Sequence, residues 1–126
     1  MKIQGYHHTS LLITDLKQAA YFYENIIGLK RIERPNLNFE GLWYAVGDLQ
    51  LHLLKLSNPL RQQKPPEHVG RDWHLALAVD EIDSLKQRLI AEKITYTMSR
   101  SGRVALFCRD FDDNGLEFVG NHNNSL

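Results

Sequence analysis

Residues 8–28, HTSLLITDLKQAAYFYENIIG, join a short apolar run to a longer segment in which apolar side chains recur every three or four positions. The first pattern is typical of a strand and the second of an amphipathic helix. Thr14 or Asp15 is a suitable N-cap, and Gly28 suits a left-handed helix end. The segment therefore predicts a strand followed at once by a helix over 17–27.

The same order recurs in residues 74–91, HLALAVDEIDSLKQRLIA. Asp80 or Asp83 can cap this second helix. The apolar stripe of the helix consists of Ile82, Leu85 and Leu89. Further strand-like segments follow each helix, at 42–46 and 49–56 in the first half and at 94–98, 104–109 and 116–119 in the second. This repetition predicts two similar modules in one chain.

The module boundaries follow from the composition between the repeats. Residues 1–56 form the first module and residues 73–120 the second. The segment between them, 57–72, is rich in proline and polar residues and is typical of a linker. Residues 121–126 form a tail. A chain of 126 residues has the length of one domain, so we expect a single α+β domain built from the two modules.

Charge and cysteine content narrow the possible partners and compartment. The chain has 15 basic and 15 acidic side chains, whereas nucleic-acid and membrane-surface binders carry clustered positive charge. We therefore expect a small-molecule substrate, no nucleic acid and no membrane. The chain shows no signal segment and no long apolar run, which favours a cytoplasmic protein. Cys108, the one cysteine, lies in an apolar run and is expected to be a buried thiol in a reducing compartment.

Four polar side chains occupy matching places in the two modules. His8 and His74 begin the first strand of each module, and His52 and Glu117 interrupt the last strand. Successive side chains of a strand point to opposite faces, so each of the four lies opposite the apolar set that can pack on the helix. Three imidazoles and one carboxylate can converge on one divalent cation, with Zn, Ni, Fe and Mn as suitable metals.

The order of these motifs resembles the vicinal oxygen chelate superfamily, which includes glyoxalase I, fosfomycin- and bleomycin-resistance proteins, methylmalonyl-CoA epimerase and extradiol dioxygenases. Residues 8–16, Phe22 with Tyr23, and 27–29 resemble the signature of its first module. Residues 74–79 and 110–118 resemble that of its second module. The resemblance implies two tandem βαβββ modules that form a cleft-shaped mixed sheet, and usually a homodimer.

The resemblance also implies a divalent metal held at the positions of His8, His52, His74 and Glu117, within one chain or across two. Glyoxalase I typically has a carboxylate, implicated in proton abstraction, where this chain has His52. Glu117 is then the only carboxylate left in the ligand set and the expected catalytic base. A second departure is Phe111, which stands where a proline is common and bears on the geometry of the turn at 110–115.

The function implied is that of a metal-dependent lyase or isomerase, similar to lactoylglutathione lyase, acting on a small oxygenated carbonyl compound. Its metal would chelate two vicinal oxygens and stabilise an enediolate, while Glu117 moves the proton. Two alternatives stay open. One is an iron(II) extradiol-type dioxygenase, for which His8, His74 and Glu117 supply two histidines and a carboxylate. The other is a non-catalytic protein that binds a small molecule in the same cleft.

Several further residues are candidates for substrate binding. Gln50 shares a strand face with His52 and can orient a ligand or act as a neutral filler. Arg100 and Arg103 can hold an anionic group or simply form a charged hairpin turn. Aromatic residues that either line a pocket or pack in the core are Trp43, Phe39, Tyr44 and Tyr96.

Three other histidines are not expected to bind metal. Strand alternation predicts that His7 points away from His8. His68 and His122 are expected to be solvated.

Overall fold

The computed structural model describes residues 1–57, 64–99 and 102–120. The chain divides into two compact units, Met1–Leu60 and Arg61–Leu126, each with one four-stranded mixed sheet. The expected α+β class is confirmed. The predicted tail at 121–126, with His122, and the linker residues 58–63 lie outside the described residues, and the module boundaries stay predictions.

The first unit has the order β1 (His8–Ile13), α1 (Leu16–Ala20), a π-helical segment (Tyr21–Ile26), β2 (Lys30–Ile32), β3 (Gly41–Val46) and β4 (Leu49–Lys55). Its sheet order is β1-β4-β3-β2, with β1 and β4 parallel and the other pairs antiparallel. The three-residue strand β2 was not found from its own sequence, KRI, because so short an edge strand has no measurable apolar alternation.

The first helix differs from the regular helix predicted over 17–27. After Ala20, the amide nitrogen of Ile27 donates to the oxygen of Phe22 at 2.9 Å and that of Gly28 to the oxygen of Tyr23 at 3.1 Å, so the spacing widens to five residues. Asp15, not Thr14, caps the helix by accepting a hydrogen bond from the Gln18 amide. The predicted left-handed end is confirmed, since Gly28 has a φ of 93°.

The second unit contains a short 3-10 turn (Val69–Arg71), β5 (His74–Val79), α2 (Asp83–Ala91), β6 (Tyr96–Met98), β7 (Ala105–Arg109) and β8 (Gly115–Gly120). The sheet order β5-β8-β7-β6 has the same pattern as the first, with β5 parallel to β8. The two parallel pairs place the first and last strands of each unit side by side. In each unit, the two strands that carry the candidate metal ligands are therefore neighbours.

The cap of α2 was predicted wrongly. Neither Asp80 nor Asp83 caps the helix: Asp83 is its first residue, and the Asp80 carboxylate accepts from the Glu81 amide. Glu81 instead accepts hydrogen bonds from the amide and the hydroxyl of Ser84, and these lower the pKa of Glu81. The Glu81 side chain is longer than that of Asp80 and one residue closer to the helix, so it reaches the unpaired amide of Ser84 in the first turn. The predicted stripe is confirmed, because all three of its side chains are buried: Ile82, Leu85 and Leu89.

Both sheets have one apolar face in the core. In the first unit, the buried strand residues of that face include Ile13, Leu51 and Leu53. In the second unit they include Leu77, Leu116 and Phe118. Cys108 is 2% exposed, which confirms the buried thiol. Among the described residues, no helix has the length and apolar character needed to cross a bilayer.

The turn before β8 aligns that strand with β5. The buried Asp110 carboxylate accepts hydrogen bonds from the amides of Asp112 and Asn114 and from the Asn114 side chain. A Cβ atom at Gly115 would lie only 3.1 Å from the Trp73 oxygen and 3.2 Å from the His74 Cβ. Glycine therefore permits the close approach that brings β8 beside His74.

Candidate metal centre

The first unit brings two of the predicted ligands into ring contact. In the register of β1 and β4, Ser10 lies opposite His52 and His8 lies opposite Gln50. The imidazoles of His8 and His52 stack with their centroids 4.1 Å apart and an angle of 21° between the planes. Trp43 is directly opposite His52 on β3 and stacks on it at 3.9 Å and 3°. The His52 ring therefore lies between His8 and Trp43.

The protonation of His52 follows from its surroundings. Its Nε2 lies 2.8 Å from the Gln50 side-chain oxygen, which can only accept, so Nε2 carries the proton and donates. Burial, helped by the charges of His8, His7 and Arg34, lowers the pKa of His52 below its ordinary 6.5. A neutral imidazole with a free Nδ1 lone pair is the form that binds a metal.

The orientation predicted for His7 is wrong. β1 begins at His8, so His7 lies outside the regular alternation of the strand. Its Nδ1 is 2.8 Å from the Nδ1 of His8, and the two rings meet edge to face at 5.1 Å. His7 is exposed, yet it contacts a candidate ligand directly.

The second unit brings the other two predicted ligands into direct polar contact. His74 Nε2 lies 3.0 Å from Glu117 Oε1. The opposite ring nitrogen, Nδ1, donates to the Asp72 backbone oxygen at 2.9 Å, because a carbonyl only accepts. In a neutral His74 this leaves a lone pair on Nε2 facing a carboxylate oxygen. Such a pair of acceptors needs a proton or a metal cation between them.

Glu117 is buried, with 5% of its surface exposed, although it carries a carboxylate. Its second oxygen, Oε2, accepts a hydrogen bond from Arg103 Nη2 at 2.6 Å. The side chain of Arg103 is 57% exposed, so it reaches from the surface to the buried carboxylate. Arg103, a candidate for anion binding, is therefore engaged with Glu117, whereas Arg100 lies outside the described residues.

A second layer of contacts orients His74. Asp72, whose backbone oxygen accepts from His74, pairs through its side chain with Arg109 Nη1 at 2.8 Å. Arg109 also donates to the backbone oxygens of Asp113 and Pro66. Sequence reasoning missed this use of Asp72 and Arg109, since neither lies in a metal-ligand pattern.

His68 is not simply solvated. Its Nδ1 accepts from the Gly70 amide at 2.9 Å at the start of the 3-10 turn, and its ring packs edge to face on Phe107. The Phe107 ring also lies 6.0 Å from His74, and Phe107 is opposite Glu117 in the sheet. Phe107 is thus the apolar neighbour of the second pair of candidate ligands.

The remaining candidates divide between the site and the core. Gln50 and Trp43 both contact His52. Tyr44 is fully buried and donates a hydrogen bond to Glu24, so it packs in the core. Tyr96 contributes to a cavity of about 210 Å³ in the second unit, which is also lined by Glu67, Val69, Thr97, Phe107 and Arg109.

The structure therefore shows two pairs of candidate ligands, one in each unit. Within residues 1–57, 64–99 and 102–120, no group of three or more His, Cys, Asp and Glu side chains is placed to hold one metal ion. A catalytic zinc typically has three protein ligands. Either pair alone is too small for such a centre.

These features, a βαβββ sheet in each unit with ligand-type side chains on its first and last strands, define a class of protein. The model of the Glyoxalase/Bleomycin resistance protein/Dioxygenase superfamily matches residues 5–118. The chain belongs to this superfamily, as the resemblance of its motifs implied.

Individual relatives agree with this assignment. Glyoxylase I 4 of Arabidopsis thaliana is 26% identical over 97 residues, which are 76% of this chain and 56% of that protein. The chain thus spans about half the length of that relative. A crystal structure from Bacillus anthracis described as a glyoxalase family protein is 26% identical, with a TM-score of 0.77 and coverage of 97% of this chain and 98% of that one.

A structure of a fosfomycin resistance protein, FosX from Listeria monocytogenes, shares the fold. It has a TM-score of 0.75 at 17% identity and covers 96% of this chain and 95% of that one. That structure is a complex with Mn(II) and 1S,2S-dihydroxypropylphosphonic acid. At this identity the similarity establishes the architecture alone.

Proposed function

We propose that the protein is a metal-dependent lyase or isomerase of the glyoxalase type, similar to lactoylglutathione lyase. It would act on a small oxygenated carbonyl compound, with a Zn, Ni, Fe or Mn ion held by His8, His52, His74 and Glu117. The contact between His74 Nε2 and Glu117 Oε1 carries this proposal, because two atoms of metal-ligand type lie 3.0 Å apart there on a superfamily fold.

The distances and chemistry of the donor atoms fit a divalent cation. Imidazole nitrogen and carboxylate oxygen atoms are common ligands of zinc and related divalent cations, which His74 and Glu117 would hold. The His74 Nε2 and Glu117 Oε1 atoms are 3.0 Å apart. The hydrogen bond from His74 Nδ1 to a backbone oxygen is the usual support of a metal-bound imidazole.

Completion of the centre requires both units. His8 and His52 supply two further imidazoles from the first unit, and the lowered pKa of His52 keeps that ring neutral near pH 7. We propose that the two pairs meet in the cleft of a homodimer, from one chain or from two.

The free, buried thiol of Cys108 supports a reducing compartment, and we propose the cytoplasm.

The residues of this chain divide the work between binding and proton transfer. When bound, the cation would chelate two vicinal oxygens of the substrate and stabilise the charge of an enediolate. Glu117, the only carboxylate of the ligand set, accepts the proton from the substrate carbon. Gln50 holds His52 in one orientation, and Phe107 excludes water beside Glu117.

Two other activities of the superfamily are separated from this one by assay. An iron(II) dioxygenase would consume oxygen with a catechol when loaded with ferrous iron. A binding protein would turn over neither substrate and would hold its ligand tightly. The proposed lyase converts adducts of 2-oxoaldehydes and thiols without oxygen, and only when it contains metal.

Metal content tests the site directly. The protein is purified without a histidine tag, dialysed against each metal and analysed for bound ions. We expect about one divalent ion per chain in the wild type, and loss of that ion in His8→Ala, His74→Ala and Glu117→Gln.

His68→Asn and Glu81→Gln are the matched controls, because they alter a capping histidine and an exposed carboxylate outside the ligand set. Both should keep the metal. Equal metal content in the wild type and the three ligand variants would reject the site.

A further inference from the structure

The Arg103 side chain makes a contact that the proposed chemistry does not use. Both oxygens of the buried Glu117 carboxylate have partners, His74 on Oε1 and Arg103 on Oε2. A buried carboxylate is costly unless a positive charge or several donors compensate it. Arg103 supplies such a charge to Glu117.

The two ends of this ion pair lie in different environments. The Glu117 side chain is 7% exposed and is held in the middle of β8, whereas the Arg103 side chain is 57% exposed and precedes β7. Release of Arg103 into water restores its hydration at little cost. Glu117 has no comparable alternative, because its position in the sheet keeps it away from water.

A divalent cation and Arg103 would compete for the same carboxylate. A cation bound at Glu117 would carry two positive charges and would repel the Arg103 guanidinium, which lies 2.6 Å from Oε2. The carboxylate would also no longer need the hydrogen bond that Arg103 donates. We propose that Arg103 is a displaceable counter-ion, which holds Glu117 in the metal-free protein and is released when a divalent cation binds. This inference rests on the proposed metal site at Glu117.

Arg103 therefore opposes metal binding, whereas a residue beside a metal site usually supports it. Removal of Arg103 should strengthen metal binding, because the cation no longer displaces a partner. We expect Arg103→Ala and Arg103→Gln to bind Zn²⁺ or Mn²⁺ about fivefold tighter than the wild type. Arg103→Lys keeps the positive charge but loses the planar guanidinium. Its metal affinity should therefore lie between that of the wild type and that of the Ala and Gln variants.

The experiment measures Zn²⁺ and Mn²⁺ affinity of the full chain by calorimetry or by competition with a chromophoric chelator. Arg31→Ala is the control, since it removes the same charge and also breaks an ion pair with a carboxylate, that of Glu24. That variant should keep the affinity of the wild type. Unchanged or weaker binding in Arg103→Ala and Arg103→Gln would overturn the inference.

Thermal unfolding provides a second measurement that does not depend on activity. Arg103→Gln should melt below the wild type without metal, and saturating Zn²⁺ should raise its Tm more than it raises that of the wild type. Equal increases would show a merely structural role and reject the inference. If the wild type and Arg31→Ala bind no metal, both the proposed function and this inference fail; binding in both with no gain in the Arg103 variants rejects this inference alone.

Discussion

The orientation of the His52 ring is fixed by the side chains around it. Stacking against His8 and Trp43 and the hydrogen bond to Gln50 fix the plane of its ring and the nitrogen that carries the proton. Ligands whose rotamers are already locked lose less entropy when a metal binds. The indole beside His52 therefore offers a direct optical signal of events at that ring.

We expect Zn²⁺ to change the fluorescence of Trp43, because binding at His52 alters the charge of a ring stacked 3.9 Å away. The measurement is a Zn²⁺ titration followed by tryptophan emission. The chain has two tryptophans, and the other, Trp73, is 66% exposed. Trp73→Phe should keep the signal and Trp43→Phe should lose it; the opposite result would contradict the placement of His52 in the site.

Cys108 carries a free thiol that is buried in the second unit. Burial, with a smaller contribution from Asp110, raises the pKa of its thiol from 9.0 to about 12. We expect a thiol reagent at pH 8 to react with the native protein far more slowly than with the protein in urea, because only the thiolate is nucleophilic. Similar rates in the two states would show that Cys108 is accessible.

The same shift predicts a loss of stability at high pH. Above pH 9 the unfolded chain ionises its thiol while the folded chain does not, so the free energy of unfolding falls as the pH rises from 9 towards 12. Between pH 8 and pH 10.5, the wild type should lose more stability than Cys108→Ala, as measured by urea unfolding. Other groups that titrate in this range are common to both proteins, so equal losses would refute the assignment.

At the scale of elements, the π-helical segment Tyr21–Ile26 is tied to the sheet by a polar contact. Glu24 in this segment accepts a hydrogen bond from the Tyr44 hydroxyl at 2.8 Å and pairs with Arg31 on β2. Burial and the carboxylate raise the pKa of Tyr44, so the phenol remains a donor at neutral pH. Three elements of the first unit thus meet at one carboxylate.

We expect Tyr44→Phe to lower the free energy of unfolding by about 1–2 kcal/mol, because a buried donor to a charged group is lost while the ring is kept. Urea unfolding at pH 7 measures the loss. A double-mutant cycle with Glu24→Gln separates this contact from other effects of either change. Additive losses in the double variant would show that the two side chains do not interact.

At the scale of the whole molecule, the proposed site links metal binding to stability through both units. A metal at 100 times its Kd should raise the free energy of unfolding by about 2.7 kcal/mol, and a chelator should reverse this. His8→Ala in the first unit and Glu117→Gln in the second should each abolish the increase. A full increase in either variant, measured by urea unfolding with and without Zn²⁺, would show that its unit contributes nothing to the site.

The local sequence patterns were sufficient to predict most of the strands on which the candidate ligands lie. Apolar periodicity and strand alternation are properties of neighbouring residues, so β1, β5 and the apolar stripe of α2 could be predicted from short segments. The matching positions of His8 with His74 and of His52 with Glu117 came from the repetition of the modules, and strand alternation placed all four side chains opposite the apolar set. The repetition of the pattern, together with the motifs, was enough to identify the superfamily.

Contacts between distant residues could not be read from those patterns. The Arg103–Glu117 pair, the stacking of Trp43 on His52, and the ion pair of Asp72 with Arg109 all depend on sheet register and on side-chain rotamers. The five-residue hydrogen bonds of the π-helical segment and the Glu81 cap likewise depend on the backbone geometry of the folded chain. Alternation along the strands predicted the face on which the candidate ligands lie. The side chains that contact them were decided by the tertiary structure, because most of these contacts join residues that are close in space and far apart in the chain.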